Sequence, residues 1–166
     1  MKTFSYVLVP FIFFFSCKAP KETAEAKPAE QKTETVTTPV TTDSLLASIE
    51  RTPCYGQCPM YKFSIYQSGY AVYEGKRFVE KLGKYETRIN ASVLEEIKTK
   101  AKAINYFDFK DEYPKTASDF PATKTSVVLD GKHKDIMDGT GAPSALKEFE
   151  KYLDSVKDSV EWKQVH

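Results

Sequence analysis

Hydrophobic and polar side chains alternate over several short stretches of this chain, a pattern typical of half-buried β-strands. Residues 61–66 alternate in this way and are rich in aromatic and β-branched side chains, which predicts a strand. Residues 70–74 predict its partner, reached through a three-residue loop that ends at Gly69. A third extended segment is predicted within residues 78–89. The first part of the folded region is therefore predicted to be a meander of three strands.

A second hairpin is predicted later in the chain, from residues 124–129 and 133–138. The two segments are joined through Asp130-Gly131, a residue pair that favours a tight turn between antiparallel strands. The preceding residues 110–123 include Pro114 and Pro121, which predicts a long loop.

Two segments have the 3.6-residue period of amphipathic helices. The first follows Ser92 and Glu95, whose spacing is that of a capping box. The second begins at Pro143, because proline is tolerated in the first turn of a helix. The apolar positions of the two predicted helices are Val93, Leu94, Ile97, Ala101 and Ile104, and then Leu146, Phe149, Leu153 and Val156.

The predicted element order is β-β-β-α-β-β-α. Helices with one apolar stripe and hairpins with one apolar face bury those surfaces against each other, so the pattern predicts an α+β fold. We expect a two-layer sandwich in which an antiparallel sheet of about five strands carries both helices on one face.

The first residues of the chain predict a secretory signal peptide. Lys2 is followed by an almost unbroken apolar run over residues 4–15, which is too short to span a bilayer. The run ends at Phe14-Phe15-Ser16-Cys17, which resembles the lipobox of bacterial lipoproteins. This resemblance implies that residues 1–16 are removed and that Cys17 carries acyl chains. Two or three chains would anchor the protein stably in a membrane.

Residues 17–43 are predicted to form a disordered tether after the acylated cysteine. They contain Lys, Glu, Ala, Thr and Pro and almost no large apolar side chain, so they cannot bury enough surface to fold. Residues 44–166 then form a single domain. Lys18, rather than an aspartate, follows Cys17, which predicts a lipoprotein of the bacterial outer membrane, with its periplasmic or surface face left open.

Charge argues against nucleic acid as a partner. Lys and Arg total 24 and Asp and Glu total 23, for a net charge of +1, and no basic run interrupts this balance.

Cys54 and Cys58 enclose Gly56 in the stretch most like a signature. Outside the cytoplasm such a pair most simply forms a structural disulfide. The alternative is a pair of thiolates that binds copper, since Cys-x-x-x-Cys-Pro also resembles the motif of envelope copper chaperones and soft thiolates suit Cu(I). Those chaperones use a thioredoxin-like fold, and this chain lacks the alternating βαβ pattern which that fold requires.

The eight residues Cys-Tyr-Gly-Gln-Cys-Pro-Met-Tyr at 54–61, together with Gly-Lys-His-Lys at 131–134, resemble a family of bacterial envelope lipoproteins. The shared domain of that family has no known function. The resemblance spans roughly residues 49–162 and implies a domain without implying an activity.

We expect a lipid-anchored module that binds an envelope protein, peptide or other envelope component without catalysis or a cofactor. No catalytic residue is predicted, because the sequence holds no nucleophile motif, phosphate loop or EF-hand spacing. A copper or thiol protein using Cys54 and Cys58 is the alternative. A cell-wall or glycan-acting enzyme, which needs two converging carboxylates, is third. The candidate binding surface comprises Arg51, Tyr55, Gln57, Asp119 and Lys134.

Overall fold

The computed structural model describes residues 43–114 and 119–165. The predicted signal peptide, Cys17 and the tether up to residue 42 lie outside the described residues, as do residues 115–118 of the predicted long loop. No helix within the two described ranges is long and apolar enough to cross a membrane.

The described residues form one sheet with strands in the order β5-β7-β6-β1-β2-β3-β4-β8. Neighbouring strands are antiparallel except β5 and β7, which run parallel. The bounds are β1 Leu45–Arg51, β2 Met60–Tyr66, β3 Tyr70–Arg77, β4 Gly83–Arg88, β5 Glu112–Tyr113, β6 Thr123–Leu129, β7 Lys132–Asp138 and β8 Lys163–Gln164.

Two α-helices and one short 3₁₀ helix accompany the sheet: α1 Ala91–Ala103, α2 Ser144–Asp158 and the 3₁₀ turn Tyr106–Asp108. The predicted capping box at Ser92 is wrong, because α1 begins earlier with Asn90 at its N-cap. The amide of Ile89 donates to the carbonyl of Gly69 over 2.8 Å. This bond holds the chain on the sheet up to Ile89, so the helix starts immediately after Asn90.

The prediction of an α+β fold with two helices and a mostly antiparallel sheet is confirmed, but the prediction of about five strands is wrong. The described residues contain eight strands, and the chain order is β-β-β-β-α-β-β-β-α-β. The most important addition is β1, which lies between β2 and β6 in the middle of the sheet. The other two additions, β5 and β8, are two-residue strands at the edges.

The core lies on the sheet face that α2 crosses. Ile49 of β1 is directly opposite Phe63 on one side and Thr125 on the other, and cross-strand partners share a face. Tyr106 is fully buried and its hydroxyl donates to the Thr125 hydroxyl over 2.7 Å. The ring of Tyr106 packs against Phe149 of α2 with centroids 5.7 Å apart. The turn after α1 and the middle of α2 therefore bury the centre of this face.

The described chain begins at one end of the sheet, beside the β2–β3 loop. The Asp43 carboxylate accepts a hydrogen bond from the amide of Ser68 over 3.1 Å, and the amide of Gln67 donates to the carbonyl of Ser44 over 2.9 Å. From this point β1 runs the length of the sheet to Arg51.

Candidate functional site

The end of the sheet where β1 terminates gathers three connections, which we call the loop edge: residues 52–59, 78–82 and 119–122. The register places them together, because Arg51 is opposite both Tyr61 and Thr123, while Gly75 is opposite Gly83 in the neighbouring hairpin.

The loop edge also carries exposed apolar surface. Among the described residues, the strongly exposed large apolar side chains are Tyr55 at 92%, Leu82 at 57%, Phe120 at 53% and Phe78 at 44%. All four belong to the loop edge, and exposed aromatic side chains gathered in one region are typical of binding surfaces.

The β1–β2 connection is closed by a disulfide between Cys54 and Cys58, whose Cα atoms are 5.8 Å apart. Hydrogen bonds also fix this loop to the segment before β6. The amide of Thr52 donates to the carbonyl of Ala122 over 3.0 Å, and the amide of Tyr55 donates to the carbonyl of Asp119 over 3.4 Å. The disulfide and these bonds hold the backbone of Tyr55 beside residues 119–122, and its ring is exposed.

The disulfide bears on the copper alternative, because both sulfurs are bonded to each other and neither is a thiolate. Binding of Cu(I) by Cys54 and Cys58 would first require reduction of that bond. Elsewhere in residues 43–114 and 119–165, no three His, Cys, Asp or Glu side chains are placed together to hold a metal ion.

Arg51 lies beneath the loops, where it joins β1 to α2. Its guanidinium donates to the Thr123 hydroxyl and pairs with Asp154, which also accepts a hydrogen bond from the Tyr61 hydroxyl. Burial alone would lower the pKa of Arg51, but the Asp154 carboxylate raises it above its ordinary value. Burial and the Asp154 carboxylate both raise the pKa of Tyr61. Both oxygens of Asp154 are thus engaged, and the group holds the helix to the sheet.

A second carboxylate from α2 is buried beside this network. Glu150 is 4% exposed, and one of its oxygens lies 3.7 Å from the Arg51 guanidinium. Its other oxygen, Oε1, has no hydrogen-bond partner in the described part of the chain. Burial, with smaller contributions from the nearby Asp138 and Asp154, raises the pKa of Glu150 to about 7 against the opposing effect of Arg51. Glu150 is therefore an acid that folding forces toward its neutral form.

An aromatic cleft of about 510 Å³ opens beside Asp154. We define it by six of its lining residues, Tyr61, Tyr73, Phe78, Asp154, Lys157 and Trp162. The Lys157 ammonium lies 4.8 Å from the centre of the Tyr61 ring, a cation–π arrangement. The cleft therefore combines ring faces with charged groups in one concave surface.

Trp162 forms one side of the aromatic cleft and also covers part of the core. Its ring centroid lies 5.7 Å from that of Phe63, edge to face, and 5.6 Å from that of Tyr73. The indole N–H donates to the carbonyl of Lys157 over 3.0 Å. These contacts fix the ring between the end of α2 and the sheet.

A serine, a histidine and an aspartate meet on the other face of the sheet, where they do not form a catalytic relay. The Ser126 hydroxyl lies 3.0 Å from Nε2 of His133, and an oxygen of Asp135 lies 3.2 Å from the same nitrogen. A relay needs the serine and the carboxylate on opposite ring nitrogens. Sequence reasoning missed this cluster because cross-strand pairing of β6 and β7 creates it.

The structure gathers most of the predicted binding surface. Tyr55, Gln57 and Asp119 are exposed at the loop edge, and Arg51 lies just beneath them, engaged with α2. Lys134 lies away from the loop edge, opposite Val127 in the β6–β7 pair. It is four residues before Asp138, the end of β7 at the loop edge, which corresponds to about 13 Å along the strand. Its ammonium pairs with Asp111 over 2.7 Å.

Sequence reasoning did not single out the charged residues that α2 contributes beneath the loop edge and to the aromatic cleft, which are Glu150, Asp154 and Lys157. One signal for them was present, since Glu150 falls between Leu146 and Leu153 on the apolar stripe of the helix. An acidic residue in such a stripe indicates a buried cationic partner on the facing element.

Comparison with known protein families identifies the family to which the domain belongs. The model of the domain of unknown function DUF6438 matches residues 46–157. The chain belongs to this family. The matched range of the DUF6438 domain includes the disulfide loop, the Arg51 network and nearly all of α2, and it ends before Trp162. A search of curated proteins gives no match to the chain.

Proposed function

We propose that this DUF6438 protein is a lipid-anchored component of the bacterial envelope whose domain binds a protein or peptide partner through the loop edge. The observation that carries the proposal is the clustering of Tyr55, Phe78, Leu82 and Phe120 on loops at one end of the sheet. Apolar and aromatic side chains left in water at one place are characteristic of interaction surfaces. We further infer a two-layer sandwich, with the sheet on one side and both helices on the other.

Two features favour binding over catalysis. Glu150, the carboxyl group with the most strongly raised pKa among the described residues, is buried and out of reach of a substrate. Asp154 has both oxygens occupied by Arg51 and Tyr61, so neither is free to act as an acid or a base.

The loop edge leads to one prediction about partner binding. Changing Tyr55 and Phe120 together to serine should reduce recovery of the partner at least about tenfold, since aromatic anchors at interfaces are typically worth 2 kcal/mol or more. The measurement is affinity capture from cross-linked envelopes, with the full-length anchored protein and its variants at equal abundance.

Lys134→Ala is the matched control for partner binding, because Lys134 lies away from the loop edge; this variant should recover the partner as the parent does. Equal recovery by the double variant, or failure of the parent to recover any partner reproducibly, would contradict the proposal.

The proposed anchor leads to a second prediction. Cys17→Ala should abolish acylation, so the protein is either released in soluble form or retained on its uncleaved signal peptide. Mass spectrometry of the N-terminus distinguishes these two results. A Cys54→Ser/Cys58→Ser variant, which keeps Cys17, should stay in the membrane fraction. A Cys17→Ala protein that is cleaved, membrane-bound and resistant to salt extraction would refute the anchor.

A further inference from the structure

The aromatic rings of the cleft differ in their exposure to solvent. Tyr61 and Tyr73 are buried and form the floor, with ring centroids 5.7 Å apart. Trp162 is half-buried at one side, and Phe78 is exposed at the mouth. A ligand in the cleft would therefore meet Trp162 and Phe78 first.

Phe78 has a strained backbone conformation and a cation close to its ring. Its φ is +54°, in the left-handed region that bulky side chains rarely adopt. The guanidinium of Arg77 lies 4.9 Å from the centre of the Phe78 ring. A strained residue that exposes an apolar ring to water suggests a binding role for that ring.

The charges of the cleft are already matched within the protein. Asp154 pairs with Arg51, and Lys157 pairs with Asp158 while its ammonium also lies over the Tyr61 ring. The two other charged residues of the lining, Glu80 and Lys81, pair with each other over 3.8 Å. A charged ligand that displaced Asp154 or Lys157 from its partner would leave a partly buried charge unmatched, which is costly. The cleft is therefore suited to a ligand that is polar but carries no net charge.

We propose that the aromatic cleft binds a neutral saccharide. A pyranose ring presents an apolar C–H face that stacks on aromatic side chains, and its hydroxyl groups both donate and accept hydrogen bonds at its rim. Phe78 and Trp162 supply the rings, while Asp158 and Lys157 supply an acceptor and a donor for hydroxyl groups. The volume of about 510 Å³ lies within the range of small-ligand sites.

This saccharide site is a binding site without hydrolysis. Glycoside hydrolysis needs two available carboxyl groups on either side of the scissile bond. Asp154 is committed to Arg51 and Tyr61, and the other two acids that line the cleft, Asp158 and Glu80, pair with Lys157 and Lys81.

Fluorescence of Trp162 provides a direct measurement, since it is the only tryptophan in the chain. The full-length protein, in a detergent that carries no sugar headgroup, is titrated with tetrasaccharides of N-acetylglucosamine, of β-1,4-linked glucose and of α-1,4-linked glucose. Tetralysine and tetragalacturonate are the charged probes. We expect a saturable change with at least one neutral tetrasaccharide at concentrations up to about 10 mM. No response to any neutral saccharide, or a response to a charged probe alone, would overturn the proposal.

Variants at residue 78 test the role of the ring. Phe78→Gly suits the positive φ while removing the ring, so it should weaken saccharide binding about tenfold or more and leave the melting temperature unchanged or higher. Phe78→Tyr should bind like the parent, and so should Leu82→Ala, which alters an exposed side chain of the same loop outside the cleft. If Phe78→Gly fails to fold, Phe78→Asn also tolerates the backbone angle and lacks the ring. Unchanged binding by a folded variant without the ring would overturn the assignment.

The saccharide site shares Phe78 with the proposed partner surface but does not depend on Tyr55 or Phe120. Tyr55 and Phe120 lie outside the cleft. The Tyr55→Ser/Phe120→Ser variant should therefore keep the saccharide response, so the two proposals fail separately.

Discussion

Replacing Arg51 with methionine is expected to destabilise the domain by about 3–5 kcal/mol. The variant keeps an unbranched apolar stem but leaves Asp154 and Glu150 without their shared cation. Buried carboxylates that lose their partner are costly to hold away from water. The loss should be greater at about pH 8 than at about pH 5, because Glu150 is neutral in the folded protein at the lower pH.

Urea unfolding followed by Trp162 fluorescence and circular dichroism measures the effect of Arg51→Met. Lys76→Met is the matched control, since it breaks an exposed pair between Lys76 and Glu50, 2.6 Å apart, and should cost less than about 1 kcal/mol. Equal losses in the two variants would show that the Arg51 network contributes no more than a surface ion pair.

Changing Glu150 to glutamine is expected to stabilise the domain by about 2–3 kcal/mol above pH 7 and to have little effect at about pH 5. Folding raises the pKa of Glu150 from 4.5 to about 7, so the folded protein binds more protons than the unfolded chain between those pH values. The free energy of unfolding therefore falls as pH rises through this window and stays low above it. Glutamine has nearly the same shape and no proton to lose, so that decrease should disappear.

The measurement for Glu150→Gln is the free energy of unfolding at several pH values between about 4.5 and 8. Glu50→Gln, which makes the same substitution at the surface pair with Lys76, is the matched control. A Glu150→Gln variant that follows the same pH dependence as the parent would show that Glu150 is ionised at little cost in the fold.

The hairpins were predictable from sequence because local residues determine them. Asp130 and Gly131 adopt φ of +53° and +75°, the left-handed pair that a tight hairpin needs, and Gly69 adopts +84° at the end of its three-residue loop. At Gly69 an added Cβ would lie 2.7 Å from the carbonyl oxygen of Ile89, so a side chain would collide with the backbone. Turn chemistry of this kind is readable without knowing the rest of the fold.

The central strand β1 was not predictable in the same way. Leu46, Ala47 and Ile49 are all fully buried, so the strand lacks the clear alternation that marks a half-exposed one. One of its partners, β6, lies more than 70 residues further along the chain, as the pair of Arg51 and Thr123 shows. The two-residue strands β5 and β8 are too short to have any period.

The site was predictable only in part, for a related reason. The disulfide loop and the exposed Tyr55 follow from a local motif, but the partners of Arg51 come from a helix about 100 residues later. The sequence marks Arg51 as a charged residue before the cysteine motif, and only packing of α2 on the sheet makes it a buried ion pair. Lys134, equally charged in the sequence, is placed far from the loops by its position on β7.

The path of β1 has a mechanical consequence. The strand leads from Asp43, where the preceding chain joins the domain, to the loop edge at the opposite end, a length of about 20 Å. A force applied between that preceding chain and a partner held at the loop edge would act lengthwise on β1. The hydrogen bonds to β2 and β6 on its two sides would then share the load in shear instead of being loaded one after another. This geometry would let the domain resist tension between the preceding chain and the proposed partner.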